Sequence, residues 1–389
     1  MSLRLVGKSA ILAGLASAAA LTGVAAADRG GVSVVRQWPF GIGKARSDVA
    51  AAIEDSDGAK ALDAGKRLVS QAPLRRSNLS LLATAYLLAG NAQTSADTFR
   101  VASSLGWRDE LAQGNAVSLA LSNGEYAIAA SRMEALVRAE PQSQVARQLL
   151  IVISEVPASR AALGAAMAAG AGWGDNLVSG LHELPVEEIA ARIPILRDAY
   201  ASGFRATELL ARRETDRIYT TNPALGWDVW TALSGPGGIE TAGLWDADFT
   251  TIEESAFAGR APFEWRREKR TTQTLSVKED EGQVLLTVRG RNFSAENIVN
   301  QHVRLAPGRY LLGWAASAAS SDRPDLLLSA DCAQPARTME LGPAIREQGS
   351  FYRLLVVARG CDLTQVRVFA PTGGTADRWI ANPRVLPIN

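Results

Sequence analysis

A pattern with a period of 34 residues runs through the first half of the chain and constrains its fold more than any other feature. Three residues occupy one position of this pattern: Pro73, Trp107 and Pro141. The position half a period earlier falls each time in a turn-like stretch, at Ser56, Gly90 and Gly124. A third set keeps the same spacing near the middle of each second predicted helix: Gly65, Phe99 and Met133. A repeated helix, turn, helix unit predicts a short α-solenoid.

The repeat resembles the tetratricopeptide (TPR) motif, a 34-residue helix pair closed by a proline. It is clearest over residues 110–140, and it weakens through further predicted helices toward residue 234. The resemblance implies that a protein partner binds in the groove of the solenoid. No row of charged side chains at fixed repeat positions identifies that partner. The alternative fold for this region is a helical bundle without repeats.

The segment from Met1 to Ala27 has the organisation of an export signal. Arg4 and Lys8 precede an uncharged run from Ser9 onward, and a small-residue cleavage site, Ala25-Ala26-Ala27, ends it. The run is also close to the length of about 20 residues that spans a membrane. A cleaved signal peptide, an uncleaved anchor formed by residues 9–27 and a buried helix therefore all stay open. The first two predict a periplasmic or cell-envelope protein, with residues 28–45 as a glycine-rich linker or tether.

Charge and cysteine content agree with an exported protein that does not bind nucleic acid. The 41 basic and 40 acidic residues nearly cancel, so no imbalance points to nucleic acid or to an anionic membrane surface. The two cysteines, Cys332 and Cys361, lie at the edges of strand-like runs. In an oxidising compartment such a pair predicts a disulfide, and two buried thiols are the alternative.

Beyond the break at Ser234 to Gly238 the pattern changes to short β-rich runs separated by turn residues. Such spacing predicts an antiparallel β-sandwich. The run from Gln301 to Trp314 alternates on both sides of Ala306-Pro307-Gly308 and predicts a β-hairpin. We therefore expect a multidomain chain, α then β, with a helical repeat domain over residues 46–234 and a β-sandwich over residues 235–389.

The sequence offers no catalytic constellation. Its two histidines, His182 and His302, lie in different predicted domains, and the common hydrolase, zinc-protease and nucleotide-binding motifs do not occur. The acidic pairs are typical of solvated turns. Three acids could supply oxygen ligands to a structural calcium: Asp246, Asp248 and Glu253. We predict a non-enzymatic protein without a required cofactor.

Aromatic residues are the remaining binding candidates. A sugar stacks its apolar face on an aromatic ring, and its hydroxyls bind planar polar side chains. Most rings of the second domain are expected in the core, with Trp314 and Phe351 placed there by strand alternation. A sugar platform with polar neighbours is predicted from the following residues: Trp245, Trp265, Tyr352, Arg266, Asn300 and Gln301.

The stretch from Gly238 to Glu268, which contains Pro262-Phe263-Glu264-Trp265, resembles the opening of galactose-binding-type jelly rolls related to carbohydrate-binding modules. With Arg36 to Pro39, the repeats and the segment AGWGDNLVSGL, the chain is similar to TPR proteins of sphingomonad-like α-proteobacteria associated with surface polysaccharide. The resemblance implies a jelly roll and a non-enzymatic adaptor that assists polysaccharide synthesis, export or attachment. A purely structural envelope scaffold and an envelope glycan hydrolase are the alternatives.

Overall fold

The computed structural model of the chain describes residues 42–141, 143–170, 172–235, 243–249, 262–268, 271–290, 294–320, 323–372 and 377–388. In these ranges the chain is helical up to Ser234 and β-stranded from Arg266 onward, which confirms the predicted order of α then β. The predicted signal or anchor lies outside the described residues. Helix begins at Ile42, so the end of the predicted linker is helical.

The chain divides into two compact units, and the first contains segments up to Ser179 together with Leu184–Phe204. Its described helices are α1 Ile42–Glu54, α2 Gly58–Gln71, α3 Arg76–Leu88, α4 Ala92–Ser104, α5 Glu110–Asn123, α6 Tyr126–Ala139, α7 Gln144–Glu155, α8 Pro157–Ala169, α9 Gly174–Val178 and α10 Val186–Ala201. Across the described ranges of the whole chain, no helix has both the length and the apolar character needed to cross a membrane.

The repeat period appears in the backbone as a left-handed residue between the two helices of each pair. Ser56 separates α1 from α2 with φ 55°, Gly90 separates α3 from α4 with φ 79°, and Gly124 separates α5 from α6 with φ 76°. Two of the three are glycines, which adopt this conformation without the steric cost that a Cβ atom adds. The turn at the middle of each unit is therefore built the same way three times, so the region is repeat-like as predicted.

The helices of successive pairs pack closely at the positions that the period singles out. Gly65, Phe99 and Met133 are all buried. A Cβ atom on Gly65 would lie 3.1 Å from Cδ1 of Leu82, so α2 approaches α3 at a place where a larger side chain has little room. The apolar positions thus fill the interior of the helical unit.

The second compact unit contains Gly180–Glu183 and Arg205–Asn389. Its helical elements are a 3₁₀ turn Leu181–Glu183, α11 Glu208–Thr221 and α12 Pro223–Ser234. Its strands are β1 Arg266–Arg267, β2 Thr274–Asp280, β3 Gln283–Arg289, β4 Glu296–Val303, β5 Gly308–Ala316, β6 Ala318–Ser320, β7 Arg323–Pro324, β8 Leu327–Gln334, β9 Arg337–Thr338, β10 Glu340–Leu341, β11 Ile345–Glu347, β12 Ser350–Val357, β13 Leu363–Ala370 and β14 Asp377–Pro387.

Two antiparallel sheets form a β-sandwich. The five-stranded sheet has the order β1-β4-β13-β8-β9, and the seven-stranded sheet has the order β10-β12-β5-β14-β3-β2 with β11 also paired to β12. The predicted hairpin around Pro307 is wrong, because β4 and β5 lie in different sheets. The turn between them connects one sheet to the other. Alternation of apolar and polar residues looks the same in a strand that forms a hairpin and in one that is followed by a connection to the other sheet.

The interior of the sandwich is formed by alternating residues of both sheets. Val366 and Val368 of β13 are fully buried, as are Leu312 of β5 and Leu355 of β12. The predicted disulfide joins Cys332, in β8, to Cys361, just before β13, with Cα atoms 5.7 Å apart. It ties the end of one strand to the start of its neighbour.

Helices α11 and α12 pack in the second unit, whereas the predicted boundary at residues 234 and 235 assigned them to the repeat domain. The Trp227 ring lies 5.1 Å from the Phe263 ring, and the Trp230 ring lies 5.4 Å from the Trp245 ring. Both helical tryptophans belong to the core cluster of the sandwich. Burial of such large rings accounts for the difference, because helical periodicity alone does not say which surface a helix packs against.

Candidate functional site

A polar cleft of about 700 Å³ lies against the five-stranded sheet. Its lining side chains come from three places in the sequence: the end of β1, the approach to β4 and the strand β13. They are Glu268, Ser294, Ala295, Glu296, Asn297, Gln365 and Arg367. No aromatic residue is among these described lining residues, so they offer hydrogen-bonding groups and not a stacking surface.

Strand alternation explains why β13 contributes polar residues to the cleft. Val366 and Val368 point into the sandwich, and the intervening Gln365 and Arg367 are half-buried on the opposite face. Antiparallel pairing sets Arg367 opposite Asn300 of β4 and Ser329 of β8. Residues paired across antiparallel strands share a face, so the polar side chains of three strands converge there.

Arg367 is the centre of a hydrogen-bond network in this cleft. Its Nε and Nη2 donate to Oε1 of Gln365 at 2.8 and 2.6 Å, and its Nη1 donates to Oδ2 of Asp331 at 2.7 Å. Both charged side chains are about one quarter exposed. The guanidinium is planar and held from two sides, which fixes the orientation of the Gln365 amide beside it.

Glu268 is held on the neighbouring side of the cleft. Its main-chain N–H donates to the carbonyl of Ile298 at 2.9 Å, which continues the pairing of β1 with β4. The Nδ2 of Asn300 donates to Oε2 of Glu268 at 3.0 Å. One carboxylate oxygen is therefore anchored by the sheet.

Glu296 stands at the start of β4, where one of its oxygens enters the interior. Its Oε1 is buried and has no hydrogen-bond partner among the described residues. Burial lowers the pKa of Arg378, and the negative charges of Asp325 and Glu296 act in the opposite direction. The Glu296 carboxylate therefore interacts electrostatically with the buried Arg378 guanidinium of β14, and it also lines the cleft.

The predicted aromatic platform is not formed. Trp265 is fully buried, its Nε1 donates to the carbonyl of Asp246 at 2.9 Å, and its ring lies 5.0 Å from that of Phe249. Trp245 is half-buried against Trp230. Trp265 therefore contributes to the core and presents no ring face to a sugar.

The other predicted residues do not form one surface. Gln301 is fully buried and binds the main chain of Trp245. Arg266 is paired with Asn300 across β1 and β4, and its guanidinium lies 3.8 Å from Asp216 of α11. Tyr352 belongs to the seven-stranded sheet, where Nη2 of Arg384 donates to its hydroxyl at 2.8 Å. Of the six predicted residues, Asn300 is the one with a hydrogen bond to a cleft-lining side chain in the described part of the chain.

The sequence interpretation missed Glu268, Gln365 and Arg367. The alternation in the run from Leu363 to Ala370 predicts that Gln365 and Arg367 face away from the core. It does not predict which strands pair with β13. The cleft forms because β4 pairs with β13 and supplies further lining residues beside Gln365 and Arg367.

His182 has a partner that its sequence neighbourhood does not reveal. Its Nδ1 lies 2.6 Å from Oε2 of the fully buried Glu214, and its Nε2 lies 2.8 Å from Nη1 of Arg217. Because arginine only donates, a neutral imidazole accepts from Arg217 with its Nε2 and donates its Nδ1–H to Glu214. Oε1 of Glu183 lies 3.5 Å from the same Nε2. Burial alone raises the pKa of Glu214, but hydrogen bonds from His182 and Arg213 outweigh it and lower that pKa. The Nε2 is occupied by Arg217, so the dyad stabilises the 3₁₀ turn against α11.

His302 is buried and neutral. Its Nδ1 lies 3.2 Å from the carbonyl of Pro262, and its Nε2 lies 3.4 Å from the hydroxyl of Tyr219. Burial lowers the pKa of His302 to about 4. The imidazole is therefore a packed hydrogen-bonding group between α11 and β4.

The calcium prediction falls partly on undescribed residues. Glu253 lies outside the described ranges, Asp248 is exposed, and Asp246 has φ 52°. Within the described ranges, no group of three or more His, Cys, Asp or Glu side chains is placed to hold a metal ion.

No family model matches the chain, and no curated protein is significantly similar to it.

Proposed function

We propose that the protein is a non-enzymatic exported adaptor of the cell envelope. Its helical repeat unit binds a protein partner, and its β-sandwich binds a glycan in the polar cleft. The adaptor assists synthesis, export or attachment of a surface polysaccharide. The observation that carries the proposal is the cleft of about 700 Å³ lined by carboxylate, amide and guanidinium groups.

Sugar hydroxyls match this set of groups because each hydroxyl both donates and accepts hydrogen bonds. Carboxylates of Glu268 and Glu296 accept, while the amide of Asn297 and the guanidinium of Arg367 donate. Arg367 is held by Gln365 and Asp331, so little side-chain entropy is lost when it binds. A volume of several hundred Å³ is typical of small-molecule and sugar-sized sites.

Export is supported by the disulfide and by the sequence from Met1 to Ala27. Disulfides persist in secreted and periplasmic proteins and are rare in the cytosol. The Cys332–Cys361 bond joins two buried cysteines, one in β8 and the other just before β13. The proposal therefore places the sandwich in an oxidising compartment.

Protein binding by the helical unit is supported by exposed apolar side chains on it. Trp107 is 51% exposed with the Arg132 guanidinium 4.2 Å from its ring centroid, and Val101, Leu105 and Ile128 are also exposed. Tryptophan and arginine are enriched among the residues that carry binding energy in interfaces. We propose a protein partner on this unit on that basis.

The test of glycan binding uses the full-length chain, since α11 and α12 contribute to the core of the sandwich. Polysaccharide and oligosaccharide arrays are titrated with the wild type, Arg367→Ala and the control Arg309→Ala, whose exposed arginine lies on the other sheet. We expect saturable binding that Arg367→Ala weakens at least tenfold and Arg309→Ala leaves unchanged. Absence of binding by all three folded proteins would refute the glycan proposal and favour the structural scaffold.

One observation keeps the hydrolase as a second candidate: Glu268 and Glu296 line the same cleft. Glycoside hydrolysis requires two carboxyl groups on either side of the scissile bond. Release of reducing ends from a bound polysaccharide, lost in both Glu268→Gln and Glu296→Gln, would establish that activity. Binding without release would support the adaptor.

A further inference from the structure

The described lining side chains of the cleft include two carboxylates and one guanidinium. Glu268 and Glu296 line it, and Asp331 lies behind Arg367, the one described cation of the lining. The Asp331 carboxylate pairs with that guanidinium and largely neutralises it. Glu296 also interacts electrostatically with the buried guanidinium of Arg378. Glu268 is therefore the carboxylate of the described lining for which the described part of the chain shows no cation partner.

Among the polar atoms of the described cleft that make no hydrogen bond to another described residue are an amide nitrogen of Gln365, which can donate, and a carboxylate oxygen of Glu268, which can accept. Arg367 already donates to Gln365 and Asp331, and the Gln365 Oε1 is used by these bonds, which leaves its Nε2 as a donor. Glu268 accepts from Asn300 with Oε2, and no described group donates to its Oε1. The strongest free acceptor of the described cleft is therefore a charged carboxylate oxygen.

We infer that this cleft selects uncharged sugars and rejects uronic acids and other acidic sugars, with Glu268 as the residue that determines the selection. The inference rests on the proposed glycan binding. A neutral sugar donates a hydroxyl hydrogen to Glu268 and accepts from Gln365 with the same or the adjacent hydroxyl. A ligand carboxylate at that place would meet like charge and supply no hydrogen.

The size of the effect follows from Coulomb's law. Two unit charges 4 Å apart in water interact by about 1 kcal/mol, which corresponds to a factor of about five in affinity. A ligand carboxylate next to Glu268 is therefore expected to bind about fivefold more weakly than its neutral counterpart. The penalty is electrostatic, so salt reduces it.

The experiment measures affinity of the full-length chain for neutral and uronic-acid oligosaccharides of matched length and linkage at low and high salt. In the wild type we expect neutral sugars to bind more tightly, and uronate binding to strengthen as salt rises. Glu268→Gln keeps an acceptor and removes the charge, so uronate affinity rises about fivefold while neutral affinity changes little. Glu347→Gln removes an exposed charge from the other sheet and serves as the control.

The outcomes separate this inference from the proposed function. If no oligosaccharide binds the wild type or either variant, the glycan proposal itself is refuted. If uronates bind the wild type as well as neutral sugars, or if their binding weakens with salt, glycan binding stands and the charge selection is refuted. An equal gain in Glu268→Gln and Glu347→Gln would also refute the role of Glu268, because a general change of net charge would then explain it.

Discussion

Gln301 forms two hydrogen bonds to the main chain of Trp245, a residue 56 positions earlier in the sequence. The Trp245 N–H donates to Oε1 of Gln301 at 3.1 Å, and Nε2 of Gln301 donates to the Trp245 carbonyl at 2.6 Å. Gln301 is fully buried. Its primary amide thus satisfies both polar groups of a main-chain segment beside β4, as a neighbouring strand would.

Replacing Gln301 with alanine should destabilise the second unit by about 2–4 kcal/mol, because two main-chain groups lose their partners. The measurement is urea unfolding followed by tryptophan fluorescence. Gln283→Ala, at an exposed position of β3, is the control and should have an effect below about 0.5 kcal/mol. Equal effects of the two substitutions would contradict this role of Gln301.

His302 should make the second unit less stable as the pH falls from about 6.5 toward 4. Its pKa is about 4 in the folded protein and about 6.5 in an unfolded chain, so the unfolded state binds more protons in that window. The stabilisation is complete above about pH 6.5, and the loss amounts to about 3 kcal/mol. Urea midpoints at several pH values should fall less steeply in His302→Gln than in the wild type. Parallel pH profiles for the two proteins would show that His302 does not cause the dependence.

Glu188→Ala should destabilise the helical unit by about 3 kcal/mol, since it leaves the half-buried Arg147 without its carboxylate partner and the buried Arg192 without a nearby negative charge. Two nitrogens of Arg147 donate to Glu188, each at 2.6 Å. Arg192 is buried one turn away, and burial lowers its pKa to about 10 while the charge of Glu188 raises it. Thermal unfolding followed by circular dichroism tests this, with the adjacent exposed Glu187→Ala as the control. A similar small shift in both variants would contradict the prediction.

The left-handed turns between paired helices predict opposite effects of two substitutions. Gly124→Ala should destabilise the helical unit by about 1 kcal/mol, because alanine pays a steric penalty at φ 76°. No atom lies within 4 Å of the added Cβ, so the effect isolates the backbone conformation. Ser56→Gly, at φ 55°, should stabilise the unit by a few tenths to about 1 kcal/mol. Chemical denaturation measures both, and shifts of the same sign would contradict the equivalence of the turns.

The helical repeat could be predicted because its contacts are local. Each pair packs on the next, so the residues that must match lie about one period apart and leave a visible pattern in the sequence. The three left-handed residues show this directly, because they recur at the 34-residue spacing of the sequence pattern: Ser56, Gly90 and Gly124. The sandwich was predictable as a class from its short alternating runs, but its strand order was not.

The failed hairpin between β4 and β5 shows where local pattern stops being informative. Alternation says which residues of a strand face the core, and it is the same whether the next strand pairs beside it or crosses to the other sheet. The partner is chosen by contacts distant in sequence, as when β4 pairs with β13. For the same reason the tryptophans could not be divided into buried and exposed ones, because a core ring and a sugar-stacking ring have similar neighbours.

Features that are visible along the chain predict the period of the helical half, the β character of the second half and a disulfide between its two cysteines. Packing between distant segments places Trp265 in the core, His182 against Glu214, and Glu268 and Arg367 at one cleft. These relationships join residues that are distant in sequence. Trp265 donates to Asp246, 19 positions earlier, and His182 lies against Glu214, 32 positions later. Glu268 follows β1, whereas Arg367 belongs to β13. Such relationships arise when apolar faces are buried together, and burial sets the neighbours of a polar group without leaving a local signal in the chain.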